Sequence, residues 1–160
     1  MKKACVIIAV FTVLIVGLVG CNKENSKNET PAIVDVTENV AGTFEGYTLA
    51  DSDYFSDYLT EQETLTITRK DVNVVDVKLE SNSWGTIEIT GAAVSGSSAP
   101  YTISGSGKCA MSMGPQVSEY DCNLSATIYG TDSDVATFNI PAVMGGTRVM
   151  FHKGNAPVEY

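Results

Sequence analysis

Apolar side chains recur at every second position through most of this chain, and that period constrains its fold more than any other feature. Leu65 and Ile67 alternate with Thr64, Thr66 and Thr68. Val75, Val77 and Leu79 alternate with Asp76 and Lys78, and Ile87 and Ile89 with Thr86, Glu88 and Thr90. The pattern continues in Tyr101 and Ile103, in Cys122, Leu124, Ala126 and Ile128, in Ala136, Phe138 and Ile140, and in Val149 and Phe151. Successive side chains of an extended strand point to opposite faces, so each run offers one apolar face and one wet face. A helix needs an apolar stripe at 3.6-residue spacing, and no stretch beyond residue 20 carries one. The many β-branched residues suit a pleated surface.

The breaks between runs have turn chemistry. Arg69-Lys70-Asp71 reads as the short loop of a hairpin. Gly91, Gly96-Ser97-Ser98-Ala99-Pro100, Gly114-Pro115, Gly130-Thr131-Asp132 and Met144-Gly145-Gly146 separate the later runs. About eight to ten short strands at this spacing predict an all-β chain, an antiparallel sandwich or barrel. Gly105 and Gly107 sit between alternating positions, where glycine marks a bend or a close backbone approach of the kind barrel closure needs.

The N-terminus is different. Met1-Lys2-Lys3 precedes an apolar run from Ala4 to Val19 that is too short and wrongly flanked for a stable membrane span. Leu18-Val19-Gly20-Cys21 resembles the lipobox of bacterial lipoproteins. The resemblance implies that residues 1–20 are a signal peptide and that the Cys21 thiol receives a diacylglycerol. The chain is then cut before Cys21, and the new amine is acylated. The membrane becomes a partner through those acyl chains, palmitate among them, and two or three chains hold stably. Residues 21–38 are polar and aperiodic, a flexible tether. Asn22 rather than Asp follows the cysteine, which favours the outer membrane, and Lys23-Glu24 is similar to the surface-export tether of some anaerobic diderms. The remaining residues, 39–160, make one domain of ordinary size.

Charge narrows the partners. Ten basic residues face 19 acidic ones, for a formal charge of −9. Lys2 and Lys3 lie in the leader, so the rest is more acidic still. Phosphate contacts need clustered Lys and Arg, which excludes nucleic acid as a partner. Docking to anionic lipid headgroups is excluded on the same ground.

Of four cysteines, Cys5 lies in the leader and Cys21 is the lipid site, leaving Cys109 and Cys122. An even pair in an exported chain reads as a disulfide, with two buried free thiols as the alternative. If 105–113 folds back on 118–128 with Cys109 facing Cys122, then Met111 faces Tyr120 and Met113 faces Ser118. Both cysteines then share the inward parity of Leu124, Ala126 and Ile128.

Ala41-Gly42-Thr43-Phe44-Glu45-Gly46-Tyr47, the run 63–68 with the run 73–79, Tyr101 to Gly107, and Gly146-Thr147-Arg148-Val149-Met150-Phe151 follow one another in an order that resembles the calycin-like, or lipocalin-like, barrel lipoproteins of gut-type anaerobic diderms. The resemblance covers residues 40 to 153. It implies a single antiparallel calycin-like barrel of roughly eight strands. Lipocalins proper carry Gly-x-Trp near the first strand, where this chain has Gly42-Thr43-Phe44. Most members of the barrel family have no assigned activity, so the resemblance transfers no functional residue.

Candidate chemistry is sparse. His152 is the single histidine, and its parity opposite to Phe151 turns it to solvent with no orienting partner. The acidic stretch Asp51 to Asp57, with Glu61 and Glu63, lacks the glycine an EF-hand loop needs at its sixth position and reads as a solvated loop. These residues call for no metal, no cofactor and no enzyme. Tyr54, Phe55 and Tyr58 lie in the long connection between the first two strands. They could cap one barrel mouth, contact a partner, or fold down as a core plug. Trp84, at a strand start, reads as core or rim. Small inward residues such as Ala126 and Ala136 permit an interior cavity, whereas Met111, Met113 and Phe138 could fill it. The expected protein is therefore a non-enzymatic, lipid-anchored barrel binding a small apolar ligand in its interior, with Tyr54, Phe55, Tyr58, Met111 and Met113 as candidate contacts. The alternative is a filled barrel that serves a surface protein partner.

Overall fold

The computed structural model describes residues 33–112 and 114–158. The lipobox and residues 21–32 of the expected tether lie outside the described residues, as does Met113. Eight antiparallel strands form a closed barrel: β1 (Gly42–Asp51), β2 (Tyr58–Asp71), β3 (Val74–Ser81), β4 (Gly85–Ser95), β5 (Tyr101–Ser112), β6 (Val117–Ile128), β7 (Val135–Ile140) and β8 (Thr147–Lys153). Each strand pairs with its neighbours in sequence, and β8 returns to β1, with Thr48 opposite Phe151. Closure leaves no open sheet edge along the paired stretches.

The alternating faces fall as the period requires. Leu65, Ile67, Val75, Val77, Leu79, Ile87, Ile89 and Ile103 are buried, as are Leu124, Phe138, Ile140, Val149 and Phe151. Gly105 and Gly107 have the role expected of glycines inside a strand. A methyl on Gly107 would lie 2.8 Å from the Ile89 Cα and 2.9 Å from the Glu88 carbonyl carbon. β4 shifts register between Glu88 and Ala93, and bare backbone on β5 lets that irregular segment close over it.

One end of the barrel is closed by the chain that precedes β1. Val36 and Val40 flank a single 3-10 turn, Thr37–Asn39, and both are buried. Packing therefore starts inside the stretch read as tether. Asp35 holds this plug in place. Its carboxylate accepts from the Thr37 hydroxyl at 2.7 Å, from the Thr37 and Asn73 amides, and from the Arg69 guanidinium at 2.9 Å. These bonds, led by the Thr37 hydroxyl, hold the Asp35 carboxyl well below the usual range.

Two sequence expectations are corrected. The β2–β3 turn is Val72-Asn73 rather than Arg69-Lys70-Asp71. Asn73 takes a left-handed φ of 54°, which Asn tolerates, and β2 runs on through a register shift between Arg69 and Asp71. The β5–β6 loop also begins one residue earlier than expected, so Ser112 faces Val117. Cys109 therefore faces Tyr120, Cys122 faces Gly107, and Met111 faces Ser118. The cysteines keep their inward parity as diagonal neighbours, roughly 7–8 Å apart between Cα atoms. A disulfide needs its Cβ atoms about 3.8 Å apart. Both thiols are free and buried, which is the alternative reading of this pair.

Candidate functional site

The interior expected to hold a ligand is filled. Phe138, Phe151, Leu79, Ile87, Ile89 and Ile103 are all fully buried within it. A gap bounded by Phe44, Leu65, Ile128, Ala136 and Phe151 measures about 10 Å³, the space of a single water at most. Met111 is buried in this core.

Room exists instead at the mouth opposite the N-terminal plug. There the β1–β2, β3–β4 and β7–β8 connections converge on a pocket of about 630 Å³ lined by Tyr54, Phe55, Tyr58, Ser83, Trp84 and Met144. Three of the five candidate contacts, Tyr54, Phe55 and Tyr58, are brought together here, and Met111 is not among the lining residues.

Each connection is shaped by local hydrogen bonds. In the β1–β2 loop the Ser52 amide donates to the Phe55 carbonyl at 2.9 Å, and the Tyr54 amide donates to the Ser52 hydroxyl at 3.0 Å. The Asp57 amide donates to Asp51, and Asp57 takes a φ of 53°. Arg148 of β8 grips the other Asp51 oxygen at 2.6 Å. That guanidinium, followed by the Asp57 amide, lowers the Asp51 pKa. The tight fold tucks Phe55 against the core while Tyr54 stays 78% exposed. The loop is thus both plug and rim, divided between two adjacent residues.

Trp84 forms the floor and is only 6% exposed. The Ser81 hydroxyl accepts from the Ser83 and Trp84 amides, which turns the chain into β4. The Trp84 indole N–H donates to the Thr48 hydroxyl at 3.2 Å, and the Cys109 thiol donates to the Trp84 carbonyl. Thr48 and Thr60 share a further hydroxyl–hydroxyl bond across β1 and β2. The three inner rings form a cluster. Phe55 lies 6.0 Å from Trp84 and 5.7 Å from Tyr58, and Tyr58 meets Trp84 at 5.8 Å with planes 83° apart. Met144 completes the rim from the β7–β8 turn, where it takes a φ of 47°. Sequence reading missed Trp84 and Met144 as lining. The turn signal Met144-Gly145-Gly146 located one wall but carried no sign of which loops meet it.

The remaining candidate chemistry lies elsewhere. His152 points outward as its parity requires but is half-buried rather than solvated. It stacks on Tyr47 at 5.1 Å between centroids, and its Nε2 is buried with no hydrogen-bond partner among the described residues. Burial lowers its pKa. Burial likewise pushes the Cys109 thiol up to about 11, and burial with the nearby Cys109 pushes Cys122 up to about 12. Such thiols are poor nucleophiles. Glu63, read as part of a solvated acidic stretch, is fully buried on the inward face of β2, and neither carboxylate oxygen has a hydrogen-bond partner among the described residues. No grouping of three or more metal-ligating side chains occurs among the described residues.

A closed barrel of eight antiparallel strands defines the class, and comparison with known proteins agrees on that fold. Residues 40–155 match the calycin-like β-barrel domain, and the chain belongs to that family. It is also similar to a crystal structure of a candidate outer membrane protein from Bacteroides fragilis, with a TM-score of 0.65 and 27% identity. That likeness covers 76% of this chain and 46% of the other, so the chain spans less than half of that protein's length. No curated protein matches the chain.

Proposed function

We propose that this protein is a non-enzymatic, lipid-anchored barrel of the outer membrane that holds a small apolar ligand at its mouth. The pocket between Tyr54, Phe55, Tyr58, Trp84 and Met144 carries this reading. Its volume falls in the range of small-molecule sites, and its lining is mostly aromatic and apolar. Among the described residues, Ser83 and the two tyrosine hydroxyls are the polar side-chain groups of that lining. The packed interior moves the ligand from the barrel centre to the rim. The likeness to a candidate outer membrane protein supports an envelope location, and the lipobox at Cys21 supplies the anchor.

Native mass spectrometry of protein purified from its own cells tests the ligand. A co-purifying small molecule that is lost in Tyr54→Ala/Tyr58→Ala is the expected result. A ligand retained by that variant, or none in the wild type, removes the mouth as a binding site. Cys21→Ala tests the anchor: the protein should leave the membrane fraction, and continued attachment refutes lipidation.

A further inference from the structure

Resting on the mouth-binding reading, we propose that the pocket selects an organic cation, a quaternary ammonium borne on an apolar body. Three observations converge on that chemistry. The first is the arrangement of the rings. Tyr58 and Trp84 stand nearly perpendicular, and Phe55 is tilted 55° and 34° to them. Packed together in different planes, the rings give the pocket an uneven aromatic surface rather than one level platform, and a rounded head can rest on it. A flat sugar ring is better served by a level stacking platform. Aromatic faces attract a cation through their quadrupole, and quaternary ammonium groups are recognised by aromatic cages of this kind.

The second observation is the scarcity of directional polar groups. Besides the two tyrosine hydroxyls, Ser83 is the polar side chain of the lining, and the Trp84 indole N–H is already engaged by Thr48. A neutral polar ligand such as an oligosaccharide would leave its hydroxyls unmatched there, at a large loss of affinity. A quaternary ammonium has no hydrogen-bond donor to satisfy.

The third is charge. No Lys, Arg or His occurs between Asn28 and Thr68, while Asp51, Asp53, Asp57 and Glu61 crowd the loop and strand that bear Tyr54, Phe55 and Tyr58. The Asp53 side chain lies against Gly145, the chain neighbour of the lining residue Met144, and Asp53 itself precedes the lining residue Tyr54. Arg148, the cation that β8 brings to this end, is held by Asp51. Asp53 and Asp57 are exposed and form no ion pair with a described residue. Within a Debye length of roughly 8 Å, such carboxylates favour a cation and repel an anion.

Trp84 is the single tryptophan and forms the pocket floor, so its fluorescence reports occupancy directly. The test titrates the full mature chain with benzyltrimethylammonium and, separately, with neopentylbenzene, its uncharged isostere. The cation should bind about tenfold more tightly than the isostere or better. Raising salt should weaken the cation alone. Asp53→Asn/Asp57→Asn should weaken the cation several-fold without changing the isostere. Tyr54→Ala, at an exposed position that leaves the core untouched, should weaken both. Equal affinity for the two probes, or tighter binding of a neutral oligosaccharide, overturns the cation proposal and leaves an apolar mouth site standing. Binding of neither probe overturns both readings.

Discussion

Gly107 is a severe test of how the barrel closes. Gly107→Ala adds one methyl, and the atoms it meets are main-chain atoms of β4: the Glu88 carbonyl oxygen first, then the Ile89 Cα at 2.8 Å and the Glu88 carbonyl carbon at 2.9 Å. Ordinary contacts of a Cβ begin near 3.4 Å. A flexible side chain could swing aside, but paired backbone cannot, so β4 must retreat or β5 must unpair. Overpacking of a core typically costs 1–3 kcal/mol, and a clash confined to backbone belongs at the top of that range, about 3 kcal/mol. Gly91→Ala is the control. Gly91 has a φ of 74° and open space around its methyl position, so only the left-handed strain applies, roughly 1 kcal/mol. Gly105→Ala falls between the two, because its methyl meets the Ile89 Cγ2 at 2.8 Å and the Ala92 Cβ and Cα at 3.0 and 3.1 Å, less severe contacts than the carbonyl group that faces Gly107. Urea unfolding followed by Trp84 fluorescence measures all three. The order Gly107, Gly105, Gly91, from most to least destabilised, supports close strand approach as the basis of closure. A Gly107→Ala barrel as stable as wild type, or less affected than Gly91→Ala, refutes it.

Further predictions follow from buried polar groups. Glu63→Leu should stabilise the barrel by about 1–3 kcal/mol, because it removes a buried carboxylate with no hydrogen-bond partner among the described residues; a loss of stability in the same urea assay would show that the carboxylate has a structural role. Cys109 and Cys122 should resist iodoacetamide in the native protein and both react after unfolding, as peptide mapping would show; a Cys109–Cys122 linked peptide would contradict the observed register. His152 has its pKa lowered by burial from the ordinary 6.5, so the unfolded chain binds the proton more tightly than the folded one. Its contribution is complete above pH 6.5 and declines as the pH falls toward the folded value. His152→Gln should flatten that part of a stability–pH curve, and an unchanged slope would show that His152 is not its source.

Much of the fold was legible because strand period is a local property. Leu65, Ile67, Leu124 and Phe138 point inward in the structure, as their spacing required. Gly105 and Gly107 announced a close approach without naming the partner strand. Parity also survived an error of register. The β5–β6 turn moved by one residue, which shifted every partner by two, so Cys109 and Cys122 still face inward while losing direct opposition. Glu63 shows two local signals in conflict. It shares parity with Leu65, but its charge argued for solvent. The unbroken ladder from Gly42–Ile67 to Gly46–Glu63 settles the matter by setting Glu63 opposite Gly46 inside the barrel, and the register shift at the left-handed Gln62, φ 61°, comes only beyond it.

By itself, the sequence determined an all-β chain, its inward faces and its acidic balance of charge. These depend on neighbours one to a few residues apart. Only the tertiary structure decided the pocket. Phe55, Trp84 and Met144 belong to three different connections, and no local pattern records that closure of β8 on β1 brings those loops to one mouth. Whether the interior held a cavity was equally beyond the sequence. The same Ala126 and Ala136 that permit a void are compatible with a filled barrel, and packing against Phe138 and Phe151 from other positions closes it.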